Sequence, residues 1–289
     1  MFLSQVAFAI VLPESLLVGR GVAYAPTNFD PTLQLFPDDA SIAADLEILY
    51  AQGFRTVVTY ASDGTLDRIP RLAKLRGFER VYMGVFCPTN AEEVAAAIAA
   101  SSWVDGYVAG NEGLGEPRAF CPYDTLQLAQ VMRDIRAATG KPVTTSEQAG
   151  DYLAGAFARW LLEHGDWLFP NAHPFWAGAR DAGEAVAWTT ATFVSLAARS
   201  PVPVLLKETG LPSAGCAECM EEAQATFYRR LEATRVRFFF FEAFDQAWKT
   251  SHPVEPHWGI NRKNREPKLV GVWLPVERTP WGRCKALYR

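Results

Sequence analysis

Two glutamates attract attention because of what precedes them. Glu112 closes the run V-A-G-N-E and Glu208 closes V-L-L-K-E, so each follows a short apolar stretch that reads as a buried strand. A carboxylic acid and a carboxylate facing each other across a cleft can break a glycosidic bond. One protonates the leaving oxygen, and the other attacks the anomeric carbon or activates water. A gap of ~5 Å leads to retention of configuration, whereas a wider one leaves room for water and leads to inversion. A lone Glu after a strand is ordinarily a solvated loop charge or a helix cap. Two at matching positions favour chemistry over that plainer reading. Tyr24, Tyr60, Glu147, His173, Glu242 and Asp245 also stand at or just beyond the ends of apolar runs, and Asn111 lies beside Glu112 with an amide able to bind a sugar hydroxyl.

These residues need elements that present them together. Eight apolar runs, at 17–24, 54–60, 80–86, 104–110, 142–146, 167–172, 202–208 and 236–242, read as buried parallel strands. Between them the spacing predicts helices over 42–52, 66–76, 91–100, 123–139, 151–163, 182–198 and 218–234, with Gly53, Gly77, Gly140 and Pro201 at the stops. Consecutive βα units without a composition break most simply close into a single (β/α)8 barrel (a TIM barrel), whose active site forms at the carboxyl ends of the strands. Residues 1–289 then make one catalytic domain, with 1–16 as an N-terminal extension. The eighth helix is weak: 243–267 reads as a long loop over the barrel top, and 268–273 packs back within a closing segment that runs to 289. An open doubly wound sheet is the alternative. Its dinucleotide-binding version loses support because Gly21, Val22, Ala23 and Tyr24 stand where G-x-G-x-x-G would be.

Composition narrows the partner. A net charge of -4 with pI near 5.7 offers no broad basic field, so nucleic acid is excluded as the expected ligand and a neutral one fits better. Nine Trp in a chain that is 12% aromatic suit stacking on the C–H faces of sugars, although cores consume aromatics too. Trp103, Trp160 and Trp188 are assigned to the core. Four His without H-x-H or H-E-x-x-H argue against a metal-dependent barrel hydrolase, and neither metal nor cofactor is expected. In C-A-E-C a loop disulfide between Cys216 and Cys219 is preferred to zinc, while Cys87, Cys121 and Cys284 lie apart. The apolar start MFLSQVAFAIVLPE lacks the Lys or Arg of a secretory leader and is shorter than a membrane span, so no direct span is expected.

The stretch K-E-T-G-L-P-S-A-G at 207–215 resembles the nucleophile motif of glycoside hydrolase family 17, the β-1,3-glucanases, and V-A-G-N-E is similar to its acid/base motif. F-F-E-A-F-D-Q-A-W-K at 240–249 and H-W-G at 257–259 resemble its last-strand segment. The likeness is strongest to short bacterial members, some of which are glucanosyltransferases or sit beside membrane-bound glucan synthases. The resemblance implies a retaining barrel with Glu112 as acid/base, Glu208 as nucleophile, and Glu242 and Lys249 near the sugar cleft. Plant-type members carry a Tyr-Pro pair where this chain reads N-A-H-P-F-W, so His173 stands in for that Tyr. Phe175, Trp176, Trp248 and Trp258 become candidates for an acceptor platform.

Several roles keep two readings. Glu147 binds sugar hydroxyls or pairs with a cation beneath the cleft. His173 is a base or, preferably, a structural histidine. Asp245, Lys249 and His252 form either part of the sugar site or a solvated charge cluster. Glu242 ends a strongly apolar strand, where an unpartnered carboxylate would be costly. The expectation is a retaining β-1,3-glucanosyltransferase acting on oligosaccharide or polysaccharide. It is expected to be monomeric and extracytoplasmic (periplasmic or secreted), attached to or beside a membrane glucan synthase. A β-1,3-glucan hydrolase and a non-catalytic glucan-binding barrel are the alternatives.

Overall fold

The computed structural model describes residue 12 and residues 15–117 and 119–274. Most of the expected N-terminal extension, Cys284 and the end of the closing segment lie outside these residues. Seven strands form one parallel sheet: β1 Arg20–Ala23, β2 Phe54–Val58, β3 Arg80–Val85, β4 Gly106–Asn111, β5 Val143–Ser146, β6 Leu206–Thr209 and β7 Phe238–Phe240. The order is β5-β4-β3-β2-β1-β7-β6. Every crossover between sequential strands is long enough to carry helix, as parallel pairing requires.

The run at 167–172, expected as a full strand, fills the gap between β5 and β6 without becoming one. It makes single parallel bridges, Gln148 to Asn171 on one side and Leu168 to Val204 and Asn171 to Glu208 on the other. Pro170 within the run and Pro203 opposite it have no N–H, so a continuous ladder cannot form. Their carbonyls still accept, from Lys207 N and Leu168 N respectively. The ring is thereby closed as a (β/α)8 barrel in one domain.

The helices α1 Asp39–Ala51, α2 Ile69–Arg76, α3 Ala91–Ala99, α4 Thr125–Thr139, α5 Ala149–Ala154, α6 Ala158–His164, α7 Ala182–Arg199, α8 Glu221–Glu232 and α9 Leu269–Trp273 surround it. Local chemistry sets their ends. Asp38, Asn90, Asp124 and Asp181 accept from first-turn amides, and Gly77 and Gly140 close α2 and α4 in the left-handed region. The expected helix over 151–163 is two helices, because the backbone turns extended at Gly155, where a Cβ would lie 2.7 Å from Asp151 Cα.

Tyr82, Trp167, Phe169 and Phe239 interlock with ring centroids 5.3–6.2 Å apart, each pair adding roughly 0.5–1.5 kcal/mol beyond its burial. This packed plug makes the barrel a core and not a pore. Trp160 and Trp188 pack partly buried against the core, but Trp103, expected inside, is 36% exposed on a 3-10 turn. Residues 243–267 cross the top as expected, tied down by Ala243 N to Ala23 O, Ile260 N to Glu242 O and a reciprocal pair of amide bonds between Asn261 and Gln52. Cys216 and Cys219 are bridged; so are Cys87 and Cys121, whose 34-residue separation hid their pairing.

Candidate active site

Both glutamates are delivered by irregularities in the sheet. Between Val108 and Asn111, β4 advances three residues while β5 advances two, from Thr144 to Ser146. Between Leu206 and Thr209, β6 advances three residues against two on β7. An extra residue re-aims the side chains that follow it, which is why bulges cluster at sites. Gly110 has φ +77°, and a Cβ there would lie 2.3 Å from Tyr123 Oη, so only glycine lets β4 turn so close to that ring. Glu112 itself has φ +54°, a conformation costing a non-glycine residue on the order of 1 kcal/mol, and its N–H donates to Ser146 O at 2.9 Å.

A carboxylate oxygen of Glu112, one of Glu208 and a ring nitrogen of His173 all lie within 4.8 Å of one another. Glu112 Oε1 accepts from Asn171 Nδ2 at 2.7 Å. Glu208 Oε1 accepts from Lys207 Nζ at 3.2 Å, and its Oε2 lies 3.2 Å from His173 Nε2. Burial and then the neighbouring Glu208 charge raise the Glu112 pKa, against smaller opposing effects of His173, Asn171 and Lys207. Burial would raise Glu208 too, but Lys207, His173 and Lys249 outweigh it and bring that carboxyl down to about 2. Glu112 thus holds its proton more tightly than an ordinary carboxyl and Glu208 less tightly, the divergence an acid and a nucleophile require. Because the ionised Glu208 can only accept, His173 Nε2 must carry the hydrogen. The trio is close enough to hold a divalent ion, but Lys207 Nζ already occupies the Glu208 carboxylate with positive charge, which makes it an electrostatically poor seat for one.

The other expected residues divide. Asn111 is drawn in, its Oδ1 accepting from Lys207 Nζ and from Asn171 Nδ2. Tyr60 lies under Lys207 Nζ, 4.6 Å from ring centroid to nitrogen, with its hydroxyl buried beside the Glu208 carboxylate. Lys249 Nζ donates to Glu242 Oε1 at 2.7 Å, and burial raises Glu242 to about 7 despite that ammonium. His173 is held edge-on between Phe241 and Trp258. Glu147 meets no cation among the described residues: Tyr123 Oη donates to it at 2.7 Å, and burial raises it to about 7 against that bond and one from the Leu114 backbone. Since Gly113 N donates to the same Tyr123 Oη, Glu147 braces the turn that carries Glu112.

Three expectations are corrected. Tyr24 is fully buried with its hydroxyl donating to Asp45, so it faces α1 and not the two glutamates. Asp245 is not in a solvated cluster and does not join the two glutamates; it accepts from Lys268 Nζ at 2.6 Å and from Gly259 N. It lines a separate recess of about 490 Å³ with Ser213, Glu221, His257, Arg262 and Lys268, which includes neither Glu112 nor Glu208. Phe175 and Trp258 are buried, at 3% and 1% exposure, and pack against Trp176, which at 46% keeps a free face. Trp248 is half-buried, bonded to Gln246 and edge-on to Phe29. Sequence reasoning missed Asn171, Lys207, Ser146 and Tyr123. The bulges that aim Lys207 inward leave no periodic trace, whereas Asn171 heads the N-A-H-P segment and was within reach as a second amide beside His173.

Residues 21–259 match the BtgE/BtgC glycoside hydrolase domain family. Probable beta-glucosidase btgE of Aspergillus clavatus is 28% identical over 273 residues, covering 86% of this chain and 46% of the relative, so the chain spans about half that protein's length. A glucan 1,3-beta-glucosidase of Arthroderma benhamiae is 25% identical over 301 residues, covering 91% and 96%. The glycoside hydrolase family 17 beta-1,3-glucanosyltransferase from Rhizomucor miehei superposes with a TM-score of 0.69 at 22% identity over 86% of this chain and 95% of its own. An endo-laminarinase from Formosa gives 0.74 at 17% identity over 90% of each. At these identities the structural likeness establishes the barrel, while the match over 21–259 establishes kinship and agrees with the family 17 resemblance of the motifs. The chain belongs to the BtgE/BtgC glycoside hydrolase domain family.

Proposed function

We propose that the chain is a retaining β-1,3-glucan-active enzyme that transfers glucanosyl units. The observation that carries this is the approach of Glu112 and Glu208 to within 4.8 Å with opposite displacements of their proton affinities. That spacing suits direct attack better than an interposed water. The ionised Glu208 attacks the anomeric carbon while Glu112 gives its proton to the departing oxygen. The C1–O bond breaks as the C1–Oε bond forms. Glu112, now a carboxylate, takes a proton from the incoming hydroxyl, and that oxygen displaces Glu208. Asn111 and Glu242 with Lys249 would bind sugar hydroxyls beside the reacting carbon, and His173 would orient Glu208.

The substrate follows from the relatives named glucan 1,3-beta-glucosidase and the beta-1,3-glucanosyltransferase barrel. Transfer is favoured over hydrolysis by the free face of Trp176 and by half-buried Trp248, which together would seat an acceptor sugar and displace water. A binding barrel without chemistry has no use for two carboxyls driven apart in proton affinity. An extracytoplasmic site of action is supported by two disulfides in the described residues, and by a likeness to Cell surface mannoprotein MP65 of Candida albicans, 25% identical over 83% of this chain. No helix among the described residues is long and apolar enough to cross a membrane.

Incubation with a laminari-oligosaccharide of defined length, followed by mass spectrometry of the products, tests this reading. Products longer than the substrate are expected. Shorter products alone would make the enzyme a hydrolase, and an unchanged substrate would leave the binding barrel.

A further inference from the structure

Lys207 is 1% exposed, and removing an ammonium from water costs several kcal/mol unless its partners compensate. A strand position at the barrel wall would ordinarily take an apolar residue. Here Nζ meets Glu208 Oε1, Asn111 Oδ1 and the face of Tyr60, one partner for each of its three hydrogens. Neighbours in a strand normally point to opposite faces; the irregularity between Leu206 and Thr209 lets Lys207 and Glu208 converge.

We propose that Lys207 is a positioning residue that clamps the Glu208 carboxylate and the Asn111 amide together, holding the first as an anion and turning the second so that its NH2 is the free end. This rests on the reading of Glu208 as nucleophile. An ammonium can only donate, so the Asn111 atom facing it must be the oxygen. Asn171 Nδ2 donates to the same oxygen, so both donors fix one orientation of the amide. Glu208 is faced by Lys207 on its own strand, His173 from 167–173, Glu112 after β4, Tyr60 after β2, and Glu242 and Lys249 after β7. Of the separate influences that lower its proton affinity, the charge of Lys207 is the largest.

The test is inactivation by 2-deoxy-2-fluoro-β-laminaribiosyl fluoride, followed across pH, with the labelled peptide identified by mass spectrometry. The rate reports the ionisation of the nucleophile in the free enzyme. In Lys207→Met the acid limb should move up by about one to three pH units, the effect of losing a close opposite charge. Lys207→Gln, which keeps a donor for Asn111 but has no charge, should show the same shift and serves if the Met variant does not fold. An unmoved limb in a folded variant overturns the role of Lys207. A label on any residue other than Glu208 overturns the nucleophile assignment instead.

Discussion

The ends of β4 and β6 are built alike and charged unlike. Each strand takes one extra residue against its neighbour, just before Glu112 in β4 and around Glu208 in β6, and the loop that follows each carries a disulfide-bonded cysteine. Around Glu112 the contact is an amide, Asn171, and burial prevails, so the carboxyl is pushed up from its ordinary range. Around Glu208 the contacts are Lys207 and His173, and burial loses. Desolvation pushes both carboxyls the same way; what separates them is whether a cation touches the carboxylate directly, as Lys207 touches Glu208. Two side chains of one chemical type thus differ in proton affinity because of the residues next to them, as the proposed acid and nucleophile must.

The comparison can be broken at either end. On the β6 side, Glu208→Gln removes the anion while keeping the shape, and turnover should fall by roughly 10⁴-fold or more, the scale on which a nucleophile is missed. On the β4 side, Glu112→Gln should cost about 10²–10⁴-fold on glucan, the usual worth of general acid catalysis. With an aryl glucoside, whose leaving group needs no proton, most of that loss should vanish from the first step. Equal losses on both substrates would remove Glu112 from the acid role.

The two disulfides sharpen the contrast. Cys87–Cys121 ties the loop after β3 to the loop after β4 across 34 residues, whereas Cys216–Cys219 spans 3. Loop-closure entropy assigns about 3–4 kcal/mol to the first and about 1–2 kcal/mol to the second. Replacing each pair by serine and measuring chemical denaturation should reproduce that order. The smallest effect is a slope in stability. Glu147 titrates at about 7 in the fold against an ordinary 4.5, because burial prevails over its bonds from Tyr123 and Leu114. Between those values the folded state binds the extra proton, so stability falls as pH rises through the window and levels off above it. Glu147→Gln should flatten that slope by on the order of 1–3 kcal/mol while keeping an acceptor for Tyr123, as thermal melts at pH 4.5 and 7.5 would show.

Much of the barrel was legible because apolar runs and helix stops recur with the βα period. The helix expected over 151–163 failed because a single extended residue, Gly155, divides it, and periodicity does not detect one turn. The strand expected over 167–172 failed on the prolines that remove ladder donors. Glu112, Glu208, Asn111 and His173, which the fold brings together, were singled out because strand ends are where barrels place chemistry. Lys207 was passed over for the same reason: alternation assigns it to the face opposite Glu208, and only the bulge reverses this. Tyr24 and Asp245 obeyed the strand-end rule but are used by Asp45 and Lys268, partners distant in sequence.

The most direct test of the central claim is the configuration at the transferred anomeric carbon after reaction of a laminari-oligosaccharide, read by proton NMR in the new glycosidic bond of the lengthened product or, before mutarotation, in the new reducing end left by water. Attack by Glu208 and then by the acceptor inverts the carbon twice, so the account predicts a β product. An α product would mean a single displacement by water, and the pairing of Glu112 with Glu208 as acid and nucleophile would be wrong.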